Sequence, residues 1–282
     1  MRTNMLPKLL PRLKGLPVML SAAVVISAFA PAGTPVNIQT NNTAAVTFTI
    51  RPLEETEETT MDDNAIAYAQ DITRQLFEAV EKNNLIVAGK SEEQLSQEIE
   101  KLALEQFKVD QHWHKKIVRT GLNTLATYVD NPANRFIQHG DILFIDFGLI
   151  VNGYESDYAR TYVLGKDPRK LKLKQDVEKA WYETREWILQ QKKLTGAELF
   201  AYTRKKAQEY GWTSAGEIAG HIVGKYPHEQ PANPKSMELD VHPDNPFDIL
   251  LRDASGNKRH WILEMHFVDE EDGIGGYFEQ LI

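Results

Sequence analysis

Cysteine is absent from the 282 residues. Its absence excludes a disulfide scaffold, a thiolate metal site and a cysteine nucleophile together. Long apolar runs are scarce as well. The uncharged stretch from Pro17 to Ala30 is fourteen residues, short of the ~20 that a membrane helix needs. Basic charge is the third shortage: 32 Lys and Arg stand against 40 Asp and Glu, for a net charge of −8. Residues 1–30 hold four basic side chains and no acidic one, so residues 31–282 sum to −12. An acidic body without a basic block argues against a nucleic-acid partner. Neither an internal repeat nor, after residue 60, a low-complexity block is visible. The apolar fraction of 42% and charged fraction of 26% exclude a wholly disordered, collagenous or multi-span chain. What is present is enough chain for one large domain or two ordinary ones.

The first sixty residues read apart from the rest. A basic end, the apolar Pro17–Ala30 stretch and small residues in A-x-A spacing at 28–32 follow the order of a secretory signal. The reading is a signal-like segment over 1–32 and a Thr-, Asn- and Glu-rich linker over 33–60. Cleavage before Gly33 implies export. The competing account is a start codon set too early, with a cytoplasmic protein beginning at Met61. Asn41-Asn42-Thr43 fits a glycosylation acceptor, a motif common by chance.

From Met61 the periodicity changes. Ile66, Ala69, Ile72, Leu76 and Val80 predict a helix over 64–82. Ser91 with Gln94 forms a capping-box pair that opens a second. Further helices are expected over 168–193 and from 195 or 196 to about 211. Strand-like runs cover 116–119, 142–147, 154–163, 261–267 and 277–282. Helices with a largely antiparallel sheet make this an α+β domain.

Three acids sit in apolar strands: Asp146 in ILFIDF, Glu264 in WILEMHF and Glu279 in GYFEQLI. One such acid is usually exposed or paired to arginine; three together point to a shared cation, because a buried carboxylate is costly alone. Asn152-Gly153 suits a two-residue type I′ hairpin turn. That turn pairs Gly148 with Asp157, which puts Asp146 and Asp157 diagonally on one face. His221, between glycines in a segment with no clear helix or strand pattern, is expected on a loop, with His228 seven residues on. Oxygen donors with one imidazole favour Mn, Fe, Co or Zn over a structural zinc site.

These residues resemble the pita-bread metallopeptidases, the family of methionine aminopeptidase, aminopeptidase P and prolidase. The family's ligand order of Asp, Asp, His, Glu, Glu corresponds here to Asp146 in FIDFG, Asp157 in ESDYART, His221 in GHIVG, Glu264 in ILEMH and Glu279 in YFEQL. The eleven-residue separation of the aspartates is the family's usual one. GHIVGKYPHEQP is similar to the family's GHGIGxxxHExP, which makes His228 the substrate-facing histidine. The resemblance covers residues 61–282, without the large N-terminal domain of prolidases, and is similar to a compact subgroup carrying HWHK and HWILE segments.

The resemblance implies a curved antiparallel sheet backed by helices, with two divalent metal ions (Mn, Co, Fe or Zn) at its centre. Asp146 would hold one ion, Asp157 and Glu279 would bridge, and His221 and Glu264 would hold the other. Glu264 would also be the general base for a water attacking the scissile carbonyl. Two departures stand out. A further histidine of the family, some seventeen or eighteen residues before the first aspartate, is missing from Leu125–Val129. His112 or His114 is the expected substitute. Met265 stands where the family has proline. The implied activity is aminopeptidase or Xaa-Pro exopeptidase, on a peptide or other small amide, with a homodimer as an open option. The alternatives are hydrolysis of a non-peptide C–N or ester bond and a non-catalytic interaction protein.

Overall fold

Thr60 and Asp63 close a reciprocal capping box and so start helix α1 (Met61–Lys82) three residues before the periodic pattern begins. The computed structural model describes residues 60–282; the signal-like segment, residues 33–59 of the linker and the acceptor motif lie outside the described residues. Ser91 and Gln94 cap α2 (Glu92–Leu102) as expected. Strand β1 (Ile117–Thr120) leads to the hairpin of β2 (Ile142–Val151) and β3 (Tyr154–Val163). Then come α3 (Pro168–Ile188) and α4 (Gly196–Tyr210), followed by β4 (Thr213–Ser214), β5 (Gly220–Val223), β6 (His260–Asp269) and β7 (Ile274–Leu281). No described helix is long and apolar enough to cross a membrane.

Two expectations are corrected. Helix α3 stops at Ile188, not Lys193, because the chain must turn to bury Leu194, whose backbone N–H donates to Asp248 Oδ1. His221 lies on a strand, not a loop. β5 pairs antiparallel with β6, His221 opposite Ile262; four residues are too few to reveal a period of two.

The strands form one antiparallel sheet in the order β1-β2-β3-β7-β6-β4, with β5 also on β6. Asn152 (φ 52°) and Gly153 (φ 82°) make the tight turn, and the register is the expected one: Val151 opposite Tyr154, Gly148 opposite Asp157. Alternation then sorts the faces. Leu143, Ile145, Phe147 and Leu149 of β2 pack with Leu76, Val80, Leu95 and Ile99 of α1 and α2. Trp261, Leu263 and Met265 of β6 and Phe278 of β7 pack with Leu173, Val177 and Trp181 of α3. The four described α-helices therefore take one face of the sheet. Asp146 of β2, Glu264 of β6 and Glu279 of β7 take the other.

Candidate metal centre

Register alone brings the acids together. Asp157 lies opposite Gly148 and two residues from Asp146's row; Ala159, next but one after Asp157, lies opposite both Asp146 and Glu279. Glu279 is directly opposite Glu264, and His221 is opposite Ile262, two residues from Glu264. A period of two places all five side chains on the face away from the helices. They line one cavity of about 520 Å³. Asp146, Asp157 and Glu279 are buried.

Opposed carboxylates across a strand pair are destabilising unless a cation joins them. The site shows that deficit. Asp146 Oδ1 and Glu264 Oε1 are buried without a hydrogen-bond partner. Burial first, then repulsion from Asp157 and Glu264, pushes Asp146 up to about 8 against the pull of His114. Burial, with repulsion from Asp157 and Asp146, raises Glu279 well above its ordinary value, and burial also raises Glu264. Asp157 differs. Burial opposes its charge, yet His114 and His221 hold it well below the usual carboxylate range. His221 Nε2 stands 3.3 Å from Asp157 Oδ2 and 3.8 Å from Glu279 Oε1. Asp157, His221 and Glu279 thus have the donor set and spacing to hold a divalent ion, as do His114, Asp146 and Asp157. The two orphaned oxygens fit that chemistry.

The segment before β1 supplies His114. Ile117 lies opposite Asp146, while His112 lies opposite Leu149, so five steps on one strand match three on the other. Two extra residues bulge out between them, the kind of irregularity that re-aims a side chain. The bulge lays His114 over Gly148, where a Cβ would fall 2.0 Å from the ring's Cδ2. Only glycine leaves that space. His112 is the correction: it packs edge-on to Phe147 on the helix face, away from the cavity, with both ring nitrogens unpartnered. Burial, then Lys116, lowers it to about 4.

His228 also lines the cavity. Its Nδ1 donates to Glu155 Oε2 at 2.7 Å, and its backbone N–H to Glu155 Oε1 at 3.1 Å. The buried Glu155 thereby fixes the ring's orientation and leaves Nε2 as the remaining ring nitrogen. Three contributors escape a sequence reading: Glu155, Tyr277 and Trp113. The Tyr277 hydroxyl donates to Glu264 Oε2. Trp113 stands edge-on to His114, His221 and His228, with centroids 4.6, 5.2 and 5.7 Å away, its Nε1 anchored on Ser156 O at 2.9 Å. The alternation of β3 and β7 was the available signal for Glu155 and Tyr277, which share a face with Asp157 and Glu279. Trp113 lies in the HWHK segment, but its contact with three imidazoles arises only on folding. Thr127 and Tyr128 form wall where the family resemblance leads one to seek a histidine.

Residues 64–251 match metallopeptidase family M24, and the chain belongs to that family. The methionine aminopeptidase of Aquifex aeolicus is 33% identical over 113 residues, 40% of this chain and 43% of that protein. The chain thus spans less than half the length of such curated relatives. Among solved structures, the prolidase of Thermococcus sibiricus is similar at 25% identity and a TM-score of 0.60, covering 78% of this chain and 55% of that one. The methionine aminopeptidase of Thermotoga maritima shares the fold at a TM-score of 0.60 and 17% identity, over 80% of this chain and 93% of its own. The pita-bread fold is the one that the family resemblance implied.

Proposed function

We propose that the protein is a metal-dependent exopeptidase that removes residues from the amino terminus of peptides. The observation that carries this is the convergence of Asp146, Asp157, Glu264, Glu279 and His221 on one sheet face, with two buried carboxylate oxygens left over. Asp146, Asp157, His221, Glu264 and Glu279 would hold two divalent ions. Such ions supply positive charge that favours deprotonation of a water and polarises a carbonyl.

The chain's own groups do the rest. Tyr277 holds Glu264 through Oε2 and so fixes the carboxylate that would take a proton from the attacking water. Glu155 takes the Nδ1 proton and orients His228, so the neutral ring offers Nε2 to the cavity as an acceptor for a substrate N–H. No Lys or Arg occurs among the described residues that line the cavity, whereas Glu217 and Asp240 do. An acidic wall suits the ammonium of a peptide's first residue and disfavours the free carboxylate of a dipeptide. The substrate is therefore an aminopeptidase substrate.

The test is hydrolysis of a peptide library by the full chain with added Mn or Co. Release of amino-terminal residues, abolished by chelator or by N-acetylation, is expected. Cleavage of free dipeptides alone would contradict the direction of binding. Turnover of amide or ester panels with none of peptides would favour the non-peptide alternative.

A further inference from the structure

His114 and His221 hold the same pose. His221 Nδ1 donates to the carbonyl of the next residue, Ile222, at 2.9 Å; His114 Nδ1 donates to the carbonyl of Lys115 at 2.7 Å. In both rings this leaves Nε2 as the atom turned inward. The two Nε2 atoms address opposite oxygens of one carboxylate: His221 lies 3.3 Å from Asp157 Oδ2, His114 3.0 Å from Asp157 Oδ1. His114 Nε2 is also 3.8 Å from Asp146 Oδ1, the oxygen that lacks a hydrogen-bond partner. A backbone carbonyl on Nδ1 is the usual outer-shell arrangement of a metal-ligating imidazole. Donors about 2.0–2.2 Å from a common ion lie roughly 3–4 Å apart, as these do.

We infer that His114 is a sixth protein ligand, binding the Asp146-side ion through Nε2, so that each ion of the pair carries one imidazole and shares Asp157. The inference rests on the metallopeptidase reading but extends its five-residue donor set. Two features of the chain exist to deliver this ring: the two-residue bulge ahead of β1, and the missing Cβ at Gly148. A surface or purely packing histidine needs neither. The consequence is a more enclosed first ion. It holds one more protein donor, and so fewer open positions, than the five-residue set would give it.

The test uses full-length protein labelled with 15N-histidine and titrated with Zn²⁺, followed by dialysis against Co²⁺ to count ions. Two imidazoles should show metal-shifted Nε2 resonances at full loading. His114→Ala should retain one such resonance and bind one of its ions roughly 10- to 100-fold more weakly. Gly148→Ala should do the same by displacing the ring, while His112→Ala should leave both resonances. Two bound ions with a single shifted imidazole would overturn the assignment of His114 and leave the metallopeptidase reading intact. No bound ion would overturn that reading itself. The wild-type spectrum decides even if both variants fold poorly.

Discussion

At the residue scale, buried polar side-chain atoms without a partner are few among the described residues, and the exceptions are informative. His112 is such an exception, turned away from the cavity. Both of its ring nitrogens are buried and unpartnered, a cost of about 1–3 kcal/mol per unsatisfied group. His112→Leu should raise stability by about 1 kcal/mol or more and leave metal binding unchanged; urea unfolding midpoints check this. The same residue gives a pH signature. His112 and His266 are both lowered to about 4 in the fold, chiefly by burial, so the unfolded chain binds more protons between pH about 6.5 and 4. Their contribution to stability is full above pH about 6.5 and is lost as pH falls toward 4. His112→Leu should flatten that part of the profile. An unchanged slope would contradict the assignment. Asp146 behaves in the opposite sense. With chelator present, Asp146→Asn removes a repelled carboxylate whose Oδ1 lacks a hydrogen-bond partner and should raise the melting temperature; with Mn or Co present the same variant should lose the metal-dependent stabilisation that wild type gains.

At the element scale, the hairpin of β2 and β3 sets the distance between the aspartates, and its turn sets the register. Gly153 sits at φ 82°, where a Cβ costs about 1–2 kcal/mol. Gly153→Ala should lower stability by about that amount in thermal or urea unfolding, with a smaller loss of metal affinity through a loosened register. No stability change would mean the turn does not hold the strands. This hairpin was legible in the sequence because Asn-Gly between two apolar runs has one economical solution. The helices were legible through spacing and capping pairs, although the third stopped early to bury Leu194. Other parts were hidden for physical reasons. β5 is too short to show alternation. The bulge before β1 is a mismatch between two strands and exists only once they pair, so the side chains at 112 and 114 could not be told apart beforehand. Glu155 gains its role from His228, 73 residues later in the chain, which only folding lays on it.

At the scale of the whole described fold, residues 60–282, four α-helices cover one face of an antiparallel sheet and leave its other face to a cluster of acids and imidazoles. Aspartates from the central hairpin, glutamates from the closing pair of strands and a histidine from the short strand beside them reach one cavity from five strands. Apolar packing on the helix face fixes where those strands lie, and with them the spacing of the donors. Folding therefore assembles the charge cluster, and a cation is what relieves it. Counting bound divalent metal on the full chain, by elemental analysis after dialysis against Mn or Co, tests this most directly. Wild type should hold two ions per chain and Asp157→Asn, whose neutral amide is a poor bridge, at most one. A wild-type protein that retains no ion after reconstitution would contradict the account.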